Sequence, residues 1–177
     1  MTLHPPVGPD DYVQGPADAP ATLVEYGDYQ CPYCGEAFGI IKQLQQQFGD
    51  GLRFCFRNFP IPEIHPQALP AAETAEFCGA NDKFWQAHDT LYDNQERLGP
   101  ELYTALVREL DLGVDDLETA LREGTYRNRI QDQVDSGLRS GVNGTPTFFL
   151  NGERVALQGS FAELADPIER VIEAARR

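Results

Sequence analysis

Two hydrophobic periods alternate along this chain and divide it into a strand-bearing frame around a helical middle. Thr22 to Gly27, TLVEYG, is short, apolar and β-branched, and predicts a buried strand. From Pro32 to Phe48 the apolar residues Ala37, Ile40, Ile41, Leu44 and Phe48 recur at helical spacing, and Gly-Asp-Gly at 49–51 stops the helix. Leu52 to Phe59, LRFCFRNF, alternates with aromatics at Phe54 and Phe56, and Pro60 and Pro62 end this second strand. Ahead of these, Pro5, Pro6, Pro9, Pro16 and Pro20 mark an extended lead-in whose one strand-like piece is DYVQG.

From His65 to Ser140 only the helical period remains. The segments ALPAAETAEFCGA, DKFWQAHDTLYDNQ, PELYTALVREL, DDLETALREG and YRNRIQDQVDSGLRSG each predict a helix, the third opening on a proline suited to a first turn. Phe84, Trp85, His88, Leu91 and Tyr92 make a wide apolar stripe, so Trp85 and His88 are expected to pack inward. Strands return in TPTFFLNGERVAL, where Asn151-Gly152 is the two-residue hairpin signal. A last amphipathic helix carries Phe161, Leu164, Ile168, Val171 and Ile172. The order is β-α-β, a helical block, then β-hairpin-α. Residues 1–64 and 141–177 suffice for a small α/β domain with a mixed sheet, interrupted by an inserted helical domain over 65–140. The first two strands should run parallel, because a helix crosses between them.

Within this frame the stretch GDYQCPYCGEAF holds two cysteines, Cys31 and Cys34, at a strand-to-helix turn. Cys31 falls at the helix N-cap and Pro32 at the first helical position. Unpaired N–H groups and the helix dipole then favour a thiolate at Cys31. Cys34 lies one turn on, more buried, where it can close a disulfide or resolve a mixed one. Half of a zinc site is the competing reading, but no second cysteine pair stands at ligand spacing, and no metal is expected. Cys55 and Cys78 lack a helix N-terminus or cationic neighbour and read as inert buried thiols, a bridge between them being the alternative.

Composition narrows the partners. The 177 residues carry a net charge of −14 and a pI near 4.5, which serves solubility and argues against nucleic acid or an anionic membrane as partner. The N-terminus has neither a basic start nor an apolar run long enough to be a leader or to span a membrane. As given, the chain is expected to be cytoplasmic, or the mature form of an exported protein.

The motifs VEYGDYQCPYC and VNGTPTFFLNG, with FRNFP, HP and KFWQAHDTLY between them, resemble the DsbA-like thiol–disulfide oxidoreductases of the thioredoxin superfamily. The resemblance runs from about Asp11 to Arg177. It implies a thioredoxin fold with an α-helical insertion, and exchange chemistry that needs no cofactor beyond the Cys31–Cys34 pair. By the same resemblance Cys31 is the nucleophile and Cys34 the resolving thiol. Glu25 matches a buried acid that relays a proton to Cys34, and Pro146 matches a cis-proline facing the disulfide. Thr145 would pair with extended substrate, and Pro32, Tyr33 and Tyr29 would contact it. Partners would be protein or peptide thiols and disulfides and a separate redox partner, with the chain acting as a monomer. The Pro-Tyr dipeptide lacks the histidine that strongly oxidising members carry, so the direction of electron flow stays open. A glutathione-binding isomerase or transferase on the same fold, and a non-catalytic peptide-binding or chaperone module, are the other functions compatible with these residues.

Overall fold

Five strands form one mixed sheet in the order β1-β3-β2-β4-β5 in the computed structural model, which describes residues 1–177. At its centre lie β2 (Ala21–Gly27) and β3 (Leu52–Asn58), joined by α1 (Pro32–Phe48) and parallel, with Ala21 opposite Leu52 and Gly27 opposite Asn58. Both strands are buried along nearly their whole length, which is why they read as apolar runs more than as strict alternation. On the other side of β2, β4 (Thr147–Leu150) runs antiparallel, and β5 (Glu153–Arg154) folds back from it. Asn151 and Gly152 both have positive φ, 48° and 86°, as the tight hairpin between them requires.

At one edge of the sheet, Tyr12–Gln14 within the strand-like DYVQG of the lead-in forms β1 and pairs antiparallel with β3. The other edge departs from the predicted strands. β4 opens at Thr147 rather than Thr145, since Pro146 has no N–H to place in a ladder. β5 is two residues long; the Val155 N–H still reaches the Phe148 carbonyl at 2.9 Å, and the chain then leaves the sheet. The last helix is entered through a 3₁₀ turn at Phe161–Leu164, capped reciprocally by Ser160 and Glu163, before α7 (Ala165–Ala175).

Side-chain alternation on the central strands sorts the core into two faces. Leu23, Phe54, Phe56 and Phe148 point to one, where α1 and α7 join α2 (Ala68–Gly79), α3 (Phe84–Asp93), α4 (Pro100–Glu109) and α5 (Val114–Glu123) in a single 32-residue cluster. Val24, Tyr26, Cys55 and Phe149 point to the other, a smaller cluster closed by Leu3, Phe59 and Val142. Helix α6 (Arg127–Arg139) crosses this second face. Gly137 permits that approach, because a Cβ there would meet the rings of Phe59 and Tyr26 at 2.9 Å and 3.1 Å. The proline-rich lead-in is tied down by Arg57, 3% exposed, whose guanidinium donates to Asp11, to Tyr26 Oη and to the carbonyls of Pro5 and Pro6.

Cys55 and Cys78 lie in the clusters of opposite sheet faces, so no bridge can join them, and burial raises both thiols, Cys78 to about 12. We expect alkylating reagent to spare both in the native protein and to modify both once it is denatured. Replacing the two by alanine should retain exchange activity and lose about 1 kcal/mol per site as small cavities. Mass spectrometry of unreduced protein checks this, and a peptide linking 55 to 78 would refute it.

Candidate active site

The turn from β2 into α1 places the cysteine pair. Cys31 is the N-cap of α1 with extended backbone, φ −69° and ψ 122°, and Pro32 follows at the first helical position. Pro32 has no N–H. Cys31 N–H reaches the Asp28 carbonyl at 3.1 Å and Asp28 Oδ1 at 3.2 Å. The N–H groups of Tyr33 and Cys34 favour negative charge on the Cys31 sulfur, and Gly35 N–H closes the first helical turn on the Cys31 carbonyl at 3.1 Å.

The two sulfurs differ in charge preference far more than in exposure, which is 4% for Cys31 and 0% for Cys34. The Cys31 thiol is lowered to about 5, chiefly by the hydrogen bond from the Cys34 thiol. Burial opposes this, and Thr145 and the N–H groups of Cys34 and Tyr33 reinforce it. Cys34 is pushed well above the ordinary thiol range by burial, by donating to Cys31 and by the negative charges of Glu25 and Cys31. One sulfur is thus built to hold negative charge and its neighbour to hold a proton.

Glu25 sits mid-strand on β2, opposite Phe56 and Phe148, and is 1% exposed. Burial first, and the negative charge of Cys31 second, raise its carboxyl to about 8. Its Oε1 has no hydrogen-bond partner, and the space beside it exists because residue 27 is glycine: a Cβ there would stand 3.0 Å from that oxygen and run into the Phe56 ring. A carboxyl so placed stays protonated at neutral pH, within electrostatic reach of both sulfurs.

Across from the cysteines, the Thr145-Pro146 peptide bond is cis, and the Cys31 thiol lies 3.6 Å from the Thr145 carbonyl. Thr145, Pro146 and Phe148 line a groove of about 520 Å³ with Tyr33, Leu157 and Phe161. Tyr33, 65% exposed, forms its outer wall. Tyr29 does not share that place. It is 1% exposed, donates or accepts a 2.9 Å hydrogen bond with His88 Nδ1, and packs against Phe56 and Tyr92, so its expected contact with substrate is corrected to a core role. His88 is fully packed as its stripe predicts, whereas Trp85 is half-buried and donates to the Val13 carbonyl.

Sequence reasoning missed the residues that brace this turn from outside. Gln95 Nε2 donates to the carbonyls of Tyr29 and Cys31 at 2.9 and 2.7 Å, and Gly35 leaves room for its carboxamide. The Gln67 N–H reaches Gln30 Oε1 at 2.6 Å. Asp28 accepts from the Gln30 N–H at 2.8 Å, an Asx-turn that an aspartate three residues before Cys31 could have signalled. Its contact with His65 spans 37 positions and leaves no local trace.

A thioredoxin family model matches residues 8–170. Among solved structures, BdbD from Bacillus subtilis superposes with a TM-score of 0.81 at 26% identity, covering 92% of this chain and 93% of that one. The α-DsbA1 protein of Wolbachia pipientis shares the fold, with a TM-score of 0.82 at 15% identity over 97% of this chain and 94% of that one. A protein of Salinispora arenicola named Na(+)/H(+) antiporter NhaA 1 is 43% identical over 155 residues, 87% of this chain and 24% of that protein. The chain therefore spans about a quarter of the length of the curated relatives it matches.

The raised carboxyl of Glu25 makes stability depend on pH. In the disulfide form burial alone still raises this carboxyl, so above pH 4.5 folding keeps a proton that the unfolded chain releases, and stability falls as pH rises until the buried carboxyl itself ionises. Glu25→Gln removes this dependence. Relative to wild type, the variant should gain stability as pH rises from 4.5, by up to about 1.4 kcal/mol per pH unit while the buried carboxyl stays neutral, read by denaturant unfolding at a series of pH values. A pH-independent difference between the two proteins would refute a neutral buried carboxyl.

Proposed function

The chain belongs to the DsbA-like branch of the thioredoxin family, and we propose that it catalyses thiol–disulfide exchange on protein or peptide substrates through Cys31 and Cys34. The observation that carries this reading is a cysteine pair at the first turn of α1, facing the cis Thr145-Pro146 bond with Cys31 3.6 Å from the Thr145 carbonyl, its first sulfur favouring thiolate and its second thiol. When the pair is a disulfide, a substrate thiolate attacks Cys31. The Cys31–Cys34 bond breaks, its electron pair goes to Cys34, and protonated Glu25 gives Cys34 a proton. A second substrate thiolate then attacks the substrate sulfur of the mixed disulfide, and Cys31 leaves as the stable thiolate. The substrate gains a disulfide and the protein becomes the dithiol. In reverse, Cys31 attacks a substrate disulfide, Glu25 first releases its own proton to solvent and then takes that of Cys34, and Cys34 displaces the substrate. The low Cys31 value favours the oxidising direction, because it stabilises the reduced protein. Substrate lies along the groove between Tyr33 and Thr145–Pro146, the main chain of Thr145 supporting an extended segment.

No helix of this chain is long and apolar enough to cross a membrane. The antiporter names belong to proteins of which the match is about a quarter, and the reading here rests on that quarter alone.

Insulin reduction in dithiothreitol tests the activity. Cys31→Ser should abolish it, and Cys34→Ser should accumulate a mixed disulfide visible by non-reducing mass spectrometry. A wild type that exchanges in neither direction would replace the enzyme by a peptide-binding module on the same groove.

Tyr33 tunes the pair. It lies at the N-terminus of α1 and brings no charge to the Cys31 sulfur, so we expect a potential of roughly −230 to −150 mV. Tyr33→His should lower the Cys31 titration further and make the protein more oxidising, by about 30 mV per pKa unit. Thiolate absorbance and equilibration against glutathione measure both. A variant no more oxidising than wild type would show that the dipeptide is not the control.

A further inference from the structure

Four hydrogen bonds converge on the carboxylate of Asp28, whose side chain is 0% exposed. Oδ1 accepts from the N–H of Gln30 at 2.8 Å and of Cys31 at 3.2 Å. Oδ2 accepts from the N–H of Ile61 at 3.0 Å and from His65 Nδ1 at 2.8 Å. These fill the acceptor sites of both oxygens. One buried group thereby joins the loop that carries the nucleophile to the loop that follows β3. None of the exchange steps consumes it.

Its position raises an electrostatic problem. A carboxylate bonded to the backbone of Cys31, in surroundings that screen poorly, acts against a thiolate on the same residue. The N–H groups of Cys31 and Gln30 that it holds are also donors the sulfur does not receive. The one side chain paired with it is the imidazole of His65, 17% exposed at the rim of the site. A cation there cancels the acid's charge without releasing the turn.

We propose that Asp28 and His65 form a charge-balanced positioning couple for Cys31, the carboxylate holding the turn in register and the imidazolium offsetting its charge so that the thiolate survives beside it. Neither touches the substrate, and both act through Cys31. The proposal rests on the oxidoreductase reading and deepens it by naming a second determinant of how strongly the pair oxidises, outside the Cys-Pro-Tyr-Cys segment.

The test is the equilibrium constant against glutathione at fixed neutral pH, with thiolate absorbance alongside. His65→Gln leaves the acid's charge unopposed and should lower the constant by about fivefold, with less thiolate. Adding Asp28→Asn removes that charge and should bring the constant back to within about twofold of wild type. His65→Lys keeps a cation and should also stay within about twofold. A brace without electrostatic function predicts the opposite order, the double variant worse than His65→Gln and His65→Lys no better. That order, or a His65→Gln constant within about twofold of wild type, overturns the couple. If the double variant does not fold, the comparison of His65→Lys with His65→Gln decides. A wild type that fails to equilibrate with glutathione would instead refute the oxidoreductase reading itself.

Discussion

The N–H groups at the start of α1 are the constraint on which this site depends. A helix begins with donors that its own backbone cannot satisfy, and those not turned to water must find acceptors in the protein. Here the acceptors are a sulfur and a carboxylate. Pro32 withdraws one donor, those of Tyr33 and Cys34 favour negative charge on Cys31, and Asp28 takes those of Cys31 and Gln30. The parallel register of β2 and β3 makes this possible. Gly27 and Asn58 lie side by side, so the loops after them leave the sheet together and Asp28 meets Ile61 and His65.

That dependence explains how much of the site was legible. Strands, helices and the order β-α-β, helices, hairpin-α follow from local periodicity. The cysteine pair, Pro146 and Glu25 follow from motifs at recognisable places in that order. Tyr29 and Tyr33 stand on either side of Cys31 in nearly the same local context, yet one is core and the other solvent-exposed. Tyr29 precedes α1 and faces the pocket of Phe56, His88 and Tyr92, whereas Tyr33 lies in the first turn of α1 and faces out. Only the packing of α3 decides that. Gln95 and His65 are invisible for the same reason, since each reaches the turn from a distant part of the chain.

The helical block is more than a spacer between the strands. Its buried residues share one cluster with the sheet, and it grips the active-site turn at Gln95 and Gln67. The second face carries no such chemistry. There α6 and the proline-rich lead-in close over Tyr26, Cys55 and Phe149, with Arg57 satisfying the carbonyls that prolines leave exposed.

Glu25 and Cys31 hold their protons in the reverse of the order that free side chains would adopt. Near pH 7 an unfolded dithiol chain carries a glutamate anion and a cysteine thiol. The folded one carries a neutral glutamic acid and a thiolate. Folding the dithiol therefore shifts one proton's worth of charge from carboxyl to sulfur and leaves the proton count unchanged. Folding the disulfide has no thiol to release, so it draws a proton from solvent. The two redox forms thus respond to pH with different slopes, and each unit of alkalinity between pH 5 and 8 weakens the disulfide form relative to the dithiol. The protein's readiness to give up its disulfide is in this sense written into the thiolate that only the dithiol can form, since the buried acid acts in the same direction on both forms.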